Sequence, residues 1–108
     1  MKTEGQKASK RQEERIAETF GGQRVAASGA FWSRKGDVRG DRLQWECKWT
    51  GKTQFSLRQD ILRKLFVEAV LVGRIPALAL SFNDSDNYVV LTEDDFYDLW
   101  QAAGGNPP

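Results

Sequence analysis

Three side chains of this sequence have the types and spacing to act together on one reacting group: Asp37, Glu46 and Lys48. Two carboxylates that converge can hold a divalent cation, which acidifies water and neutralises charge on an oxyanion, while an adjacent ammonium adds electrostatic stabilisation. Whether they converge depends on the strand that carries two of them. From Leu43 to Thr50 polar and apolar residues alternate strictly, the period of a half-buried strand. Leu43, Trp45, Cys47 and Trp49 take one face; Gln44, Glu46, Lys48 and Thr50 take the other. Gly40-Asp41 reads as a two-residue turn ahead of this strand. That turn pairs Arg39 with Arg42, Val38 with Leu43 and Asp37 with Gln44. Asp37 then shares a face with Glu46 and Lys48, and Glu46 is its diagonal neighbour at roughly 7–8 Å. A solvated strand face shows the same Glu-x-Lys alternation, so spacing alone leaves both readings open.

Composition narrows the chemistry. The 108 residues include no histidine and one cysteine, which excludes an internal disulfide, a structural zinc site and histidine-based catalysis. A metal here must be held by oxygen, which points to Mg²⁺ or Mn²⁺. Cys47 lies on the face opposite Glu46 and Lys48 and reads as a small core residue. No run approaches the ~18–20 apolar residues of a membrane span, and the polar N-terminus lacks a signal-peptide core, so a cytoplasmic protein with no membrane partner is expected. The net charge of +1 hides an asymmetry: residues 1–64 carry 15 Lys/Arg against 8 Asp/Glu, and residues 65–108 carry 1 against 7. The basic half, suited to a polyanion, is the half that holds the three residues.

The elements that must position them follow in chain order. Residues 1–9 read as a flexible basic tail, residues 10–103 as a single domain and residues 104–108 as a frayed end. A short helix is expected from Lys10 to Phe20, capped by Ser9 and ended by Gly21-Gly22. Residues 23–31 read as a strand and loop. Trp32 follows between Phe31 and the basic Arg34 and Lys35, as a DNA-facing loop requires: cations for phosphate, a ring for sugar or base. Arg24 and Lys52 complete the expected DNA-binding set. After the hairpin, Ser56 caps a helix over residues 57–72 whose buried stripe is Leu57, Ile61, Leu62, Leu65, Phe66, Ala69 and Val72. Residues 76–82 form an apolar strand fit for a sheet covered on both faces. Residues 83–87 turn, residues 88–91 return as a strand, and Thr92 caps a last helix to about Gln101.

Asp-(x)8-Glu-x-Lys resembles the core signature of the PD-(D/E)XK nucleases. Gly21-Gly22, Ser28-Gly29, Lys35-Gly36-Asp37-Val38, Glu46-Cys47-Lys48, Phe55-Ser56-Leu57 and Pro76-Ala77-Leu78 fall in the order of the small Holliday junction resolvase-like members from phages and archaea. The resemblance covers about residues 10–98. One departure is that no proline precedes Asp37. The resemblance implies an α/β, restriction-endonuclease-like core with a central mixed sheet, in the order α-β-β-β-α-β-β-α. It implies Mg²⁺- or Mn²⁺-dependent hydrolysis of DNA phosphodiester bonds, with branched DNA such as a four-way junction as substrate and a phage-infected bacterial cell or an archaeon as the setting. Flaps, nicks and duplex DNA are the alternative targets, and a non-catalytic DNA-binding module is the alternative class. Asp37, Glu46, the Cys47 carbonyl and Glu13 would hold the metal, with Glu14 in reserve for Glu13. Ser28 would position substrate or water, and Lys48 would orient water or stabilise the phosphate. A homodimer is implied by paired incisions, with Trp45, Trp49 and Phe55 as candidate interface rings.

Overall fold

The alternating segment and the apolar run become the two central strands of one sheet. The structure, a computed structural model, describes residues 3–24, 38–83 and 86–108. Its elements are α1 (Glu4–Phe20), β1 (Gly22–Arg24), β2 (Val38–Gly40), β3 (Leu43–Thr50), α2 (Gln59–Leu71), β4 (Ile75–Phe82), β5 (Asp86–Val90) and α3 (Glu93–Ala102). This is the expected order, and the sheet is mixed as expected. Strands lie in the order β1-β2-β3-β4-β5, with β3 and β4 parallel and every other pair antiparallel. A parallel pair needs a crossover, and α2 provides it.

The core sits where β3 and β4 present small and aromatic residues to α1. Ile16, Val38, Trp45, Cys47, Ala77 and Ala79 form it, and Trp45 pairs with Ala77 and Cys47 with Ala79 across the ladder. The alanines leave room for the Trp45 ring, which also meets Phe20 at 5.0 Å between centroids. Helix α1 buries Ala8, Gln12 and Ile16, a stripe spaced one turn apart. The opposite sheet face buries Leu78 beneath α2, which contributes Leu65 and Ala69.

Several expectations are corrected. Helix α1 begins at Glu4, not Lys10, because Thr3 and Gln6 form a reciprocal capping box: the Thr3 hydroxyl accepts from the Gln6 amide and the Gln6 side chain from the Thr3 amide. Residues 4–9 are therefore helix. The β2–β3 register is Val38 with Trp45 and Arg39 with Gln44, so Asp41 and Arg42 make the turn in place of Gly40-Asp41. Gly40 is needed inside the strand, where it pairs with Gly22; a Cβ there would lie 2.9 Å from the Gly21 carbonyl oxygen. Helix α2 begins at Gln59 after Arg58, whose guanidinium is held by Asp60 in the first turn, so Ser56 is not its cap. Of its predicted stripe only Leu65 and Ala69 are buried; Leu57, Phe66 and Val72 are exposed. Strand β5 starts at Asp86, inside the predicted turn. Trp45 is a core residue and is removed from the candidate interface rings, while Trp49 and Phe55 are half-buried. At the expected frayed end, Gly105 donates to the Trp100 carbonyl, and a Cβ on it would collide with the Trp100 indole.

Candidate functional site

Strand alternation sends Glu46 and Lys48 out of β3 on the face away from Cys47. There they form an ion pair, Lys48 Nζ to Glu46 Oε2 at 3.4 Å, with both side chains partly shielded from water. In the parallel ladder they lie beside Leu78 and Leu80, so the pair stands on an apolar floor. Helix α1 is tied to the same segment. The Gln12 side-chain amide donates to the Lys48 carbonyl at 3.0 Å and to the Ala79 carbonyl at 3.1 Å, bridging β3 and β4. Gln12 thus fixes the backbone at Lys48. Sequence reasoning passed over it because a glutamine within a charged helix reads as solvated; its position midway between Ala8 and Ile16 was the available signal.

Glu13 follows Gln12 and accepts from Arg24 of β1 at 3.0 Å, so the proposed extra ligand and one of the expected DNA-binding cations are partners of each other. The Cys47 thiol reports the surrounding charge. Its pKa is pushed up from 9.0 to about 12, first by burial and then by the negative charges of Glu13 and Glu46, against smaller opposing effects of Arg15 and Lys48. Glu13 and Glu46 therefore both act on the centre of β3, and the thiol stays neutral and unsuited to nucleophilic attack. Lys52 lies past the end of β3, where its backbone amide donates to the Thr50 hydroxyl at 3.1 Å. It borders a recess with Phe82, Asp86 and Tyr88.

Asp37, Ser28, Trp32, Arg34 and Lys35 lie outside the described residues. Among the described residues no three acidic or thiol side chains gather as a metal-holding group. The donors that the sequence singled out, carboxylates and a backbone carbonyl beside a neutral thiol, suit a hard cation such as Mg²⁺ or Mn²⁺. Gln44 departs from its expected place on the polar face: it is fully buried, and neither its side-chain oxygen nor its nitrogen has a hydrogen-bond partner among the described residues.

With this arrangement in hand, the chain can be set beside known proteins. The sequence matches no protein-family description and no curated protein. Among solved structures it superposes on Hjc of Archaeoglobus fulgidus, described as a Holliday junction resolvase from an archaeal hyperthermophile, with a TM-score of 0.61. The fold is that of this resolvase. The match covers 77% of this chain and 75% of the other at 21% sequence identity. Among the described residues no helix is long and apolar enough to cross a membrane.

Proposed function

We propose that this chain is a metal-dependent endonuclease of branched DNA, with the four-way junction as its preferred substrate. The observation that carries the proposal is the Glu46–Lys48 pair, partly shielded on a central strand of a sheet shared with a Holliday junction resolvase. Asp37, Glu46 and Glu13, with the Cys47 carbonyl, would hold Mg²⁺ or Mn²⁺. When bound, that ion supplies Lewis acidity and an acidified water. The chain's own residues do the rest. Glu46 holds the Lys48 ammonium beside the reacting phosphate, where it orients the attacking water or stabilises developing charge. Gln12 keeps the Lys48 backbone fixed, and Arg24 orients the Glu13 carboxylate. Trp32, Arg34, Lys35 and Lys52 would bind the DNA backbone and Ser28 would position substrate or water. The charge asymmetry of the chain supports a polyanionic partner for the half that holds this site.

A cleavage panel tests the reading: four-way junction, flap, nicked duplex and plain duplex, each with Mg²⁺ and with chelator. Metal-dependent cutting of the junction ahead of the others is expected. Equal cutting of all four would make the chain a general nuclease. Binding without cutting of any would make it a DNA-binding module.

A further inference from the structure

The two flanks of α1 carry opposite charges toward opposite edges of the sheet. On one flank Glu13 pairs with Arg24 of β1; on the other the Arg15 guanidinium donates to the Asn87 side-chain oxygen of β5 at 2.7 Å. Lys7, Arg11 and Arg15 recur every four residues, so three cations run along this second flank at about 6 Å intervals. Between it and the β4–β5 pair lies a recess of about 220 Å³, lined by Ala8, Arg11, Gln12, Arg15, Ser81 and Asn87. Two of the six are cations, three are neutral and polar, and none is a carboxylate. Ser81 and Asn87 are register partners, so both side chains leave the sheet on the face that α1 covers. Ser81 is buried there. Gln12 completes the wall. Its Nε2 is committed to the Lys48 and Ala79 carbonyls, and its buried Oε1 has no hydrogen-bond partner among the described residues. A buried acceptor without a donor is costly, so this wall is not one built for apolar packing.

We propose that the recess binds a phosphate group, held by Arg11 and Arg15 together with Ser81 and Asn87. The donors come from α1, β4 and β5 and so approach from more than one side. A planar carboxylate is satisfied by one guanidinium fork, whereas a tetrahedral anion presents oxygens in several directions and uses donors spread around it. Two guanidiniums also match the nearly double negative charge of a phosphate monoester at neutral pH. The bond to Asn87 takes one of the five N–H groups of Arg15 and holds the guanidinium at the recess. The recess is smaller than the roughly 300 Å³ at which pockets for drug-sized ligands begin, so it takes the phosphate end of a larger molecule or the free ion. A free phosphate ester and DNA both carry this group. Neither Glu46 nor Lys48 lines the recess, and the inference stands whether or not the chain cuts DNA.

Titration of the full chain with inorganic phosphate at constant ionic strength, followed by nuclear magnetic resonance of the Asn87 side-chain amide and the Arg15 Nε–H, tests it. Saturable shifts are expected with a Kd of about 1 mM, the affinity that two charge-assisted contacts supply. Arg11→Gln with Arg15→Gln should weaken binding by at least about 10-fold while thermal melting stays close to that of the unmodified chain, since both residues are exposed. Asn87→Ala, read at Arg15, gives a second measure that leaves the helix untouched, and should weaken binding several-fold. Lys64→Gln, which removes an exposed cation of α2, should change nothing. Acetate should bind at least about 10-fold more weakly than phosphate. A competition identifies the source. Displacement of phosphate by a duplex with 5′-hydroxyl ends assigns the recess to backbone phosphate of DNA, displacement only by a duplex with 5′-phosphates assigns it to strand ends, and displacement by neither assigns it to a free phosphate ester. The absence of saturable shifts up to about 10 mM phosphate would overturn the proposal. So would equal binding of acetate, or binding that survives both Arg→Gln changes.

Discussion

Helices α1 and α3 are built alike and meet different surroundings. Each starts at a threonine whose hydroxyl accepts from the amide three residues on, and each has an apolar stripe along one side. The first lays Ala8, Gln12 and Ile16 into the sheet and reaches the backbone of the strand that carries Glu46 and Lys48. The last buries nothing. Amphipathicity is thus a statement about what a helix needs, and only the rest of the molecule says whether the need is met within one copy. The α1 side is a finished interior around the proposed chemistry. The α3 side is a finished helix without an interior.

The sharpest way to break this contrast is to damage the chemistry alone. Asp37→Asn, Glu46→Gln and Lys48→Ala should each lower junction cleavage by at least about 100- to 1,000-fold, the usual cost of removing a group that stabilises transition-state charge. Thermal melting and DNA binding should remain close to those of the unmodified chain. Near-normal cleavage by Asp37→Asn would sink the proposed site. Next in size is a matched pair of truncations. Ile16→Ala should cost about 2–5 kcal/mol in urea unfolding because it opens a cavity beside Trp45. Leu99→Ala, on a helix that buries none of its side chains, should cost less than about 0.5 kcal/mol. Equal costs would erase the distinction between the helices.

Gln12→Ala removes hydrogen bonds from the buried Ala79 carbonyl and the partly buried Lys48 carbonyl and should cost about 1–3 kcal/mol. It should also slow cleavage, since the Lys48 backbone loses its tether; full cleavage in a destabilised variant would confine Gln12 to a packing role. Gln44→Leu should move stability the other way, raising the urea midpoint by the equivalent of about 1–2 kcal/mol, because a buried amide without partners is replaced by an apolar group of similar size. A lower midpoint would mean that the amide is satisfied after all.

The last effect is a pH slope, confined to alkaline solution. The folded-state thiol of Cys47 has its pKa raised from 9.0 to about 12, so the unfolded chain gives up this proton first. Its contribution is intact below pH 9 and is lost as pH rises from about 9 toward about 12, with a limiting slope of about 1.4 kcal/mol per pH unit. Cys47→Ala should flatten the alkaline fall in stability, measured with chelator present. An unchanged slope would assign that fall to other groups.

The order of elements, the mixed sheet and the inward side of β3 were legible because they rest on local periodicity and turn chemistry. The hairpin register was not. Gly40 looks like a turn residue, but the close approach of β1 requires a residue without a side chain inside the strand, and nothing near Gly40 in sequence announces Gly22 as its partner. Gln44 looked solvent-facing because alternation tells which side a residue takes and not whether a helix lies over it. The start of α1 was legible and missed: Thr3 and Gln6 have the spacing of a capping box. At the site, the Glu-x-Lys pair could be read directly. Gln12 and the Glu13–Arg24 pair depend on how α1 crosses the sheet, which no local pattern encodes.

The parallel pairing of β3 with β4 also sets a timetable for synthesis. Each residue of β3 pairs with one 32 positions later, as Leu43 does with Ile75. At about 5–20 residues per second, a ribosome completes β3 roughly 2–6 s before the matching part of β4 is made. Until then the Glu46–Lys48 segment has α1, tied to it by Gln12, and the short β2 hairpin, and lacks its parallel neighbour. A chain stalled anywhere before Phe82 lacks part of the parallel neighbour of this strand, so the sheet around the proposed site closes only after the basic half of the chain has been made.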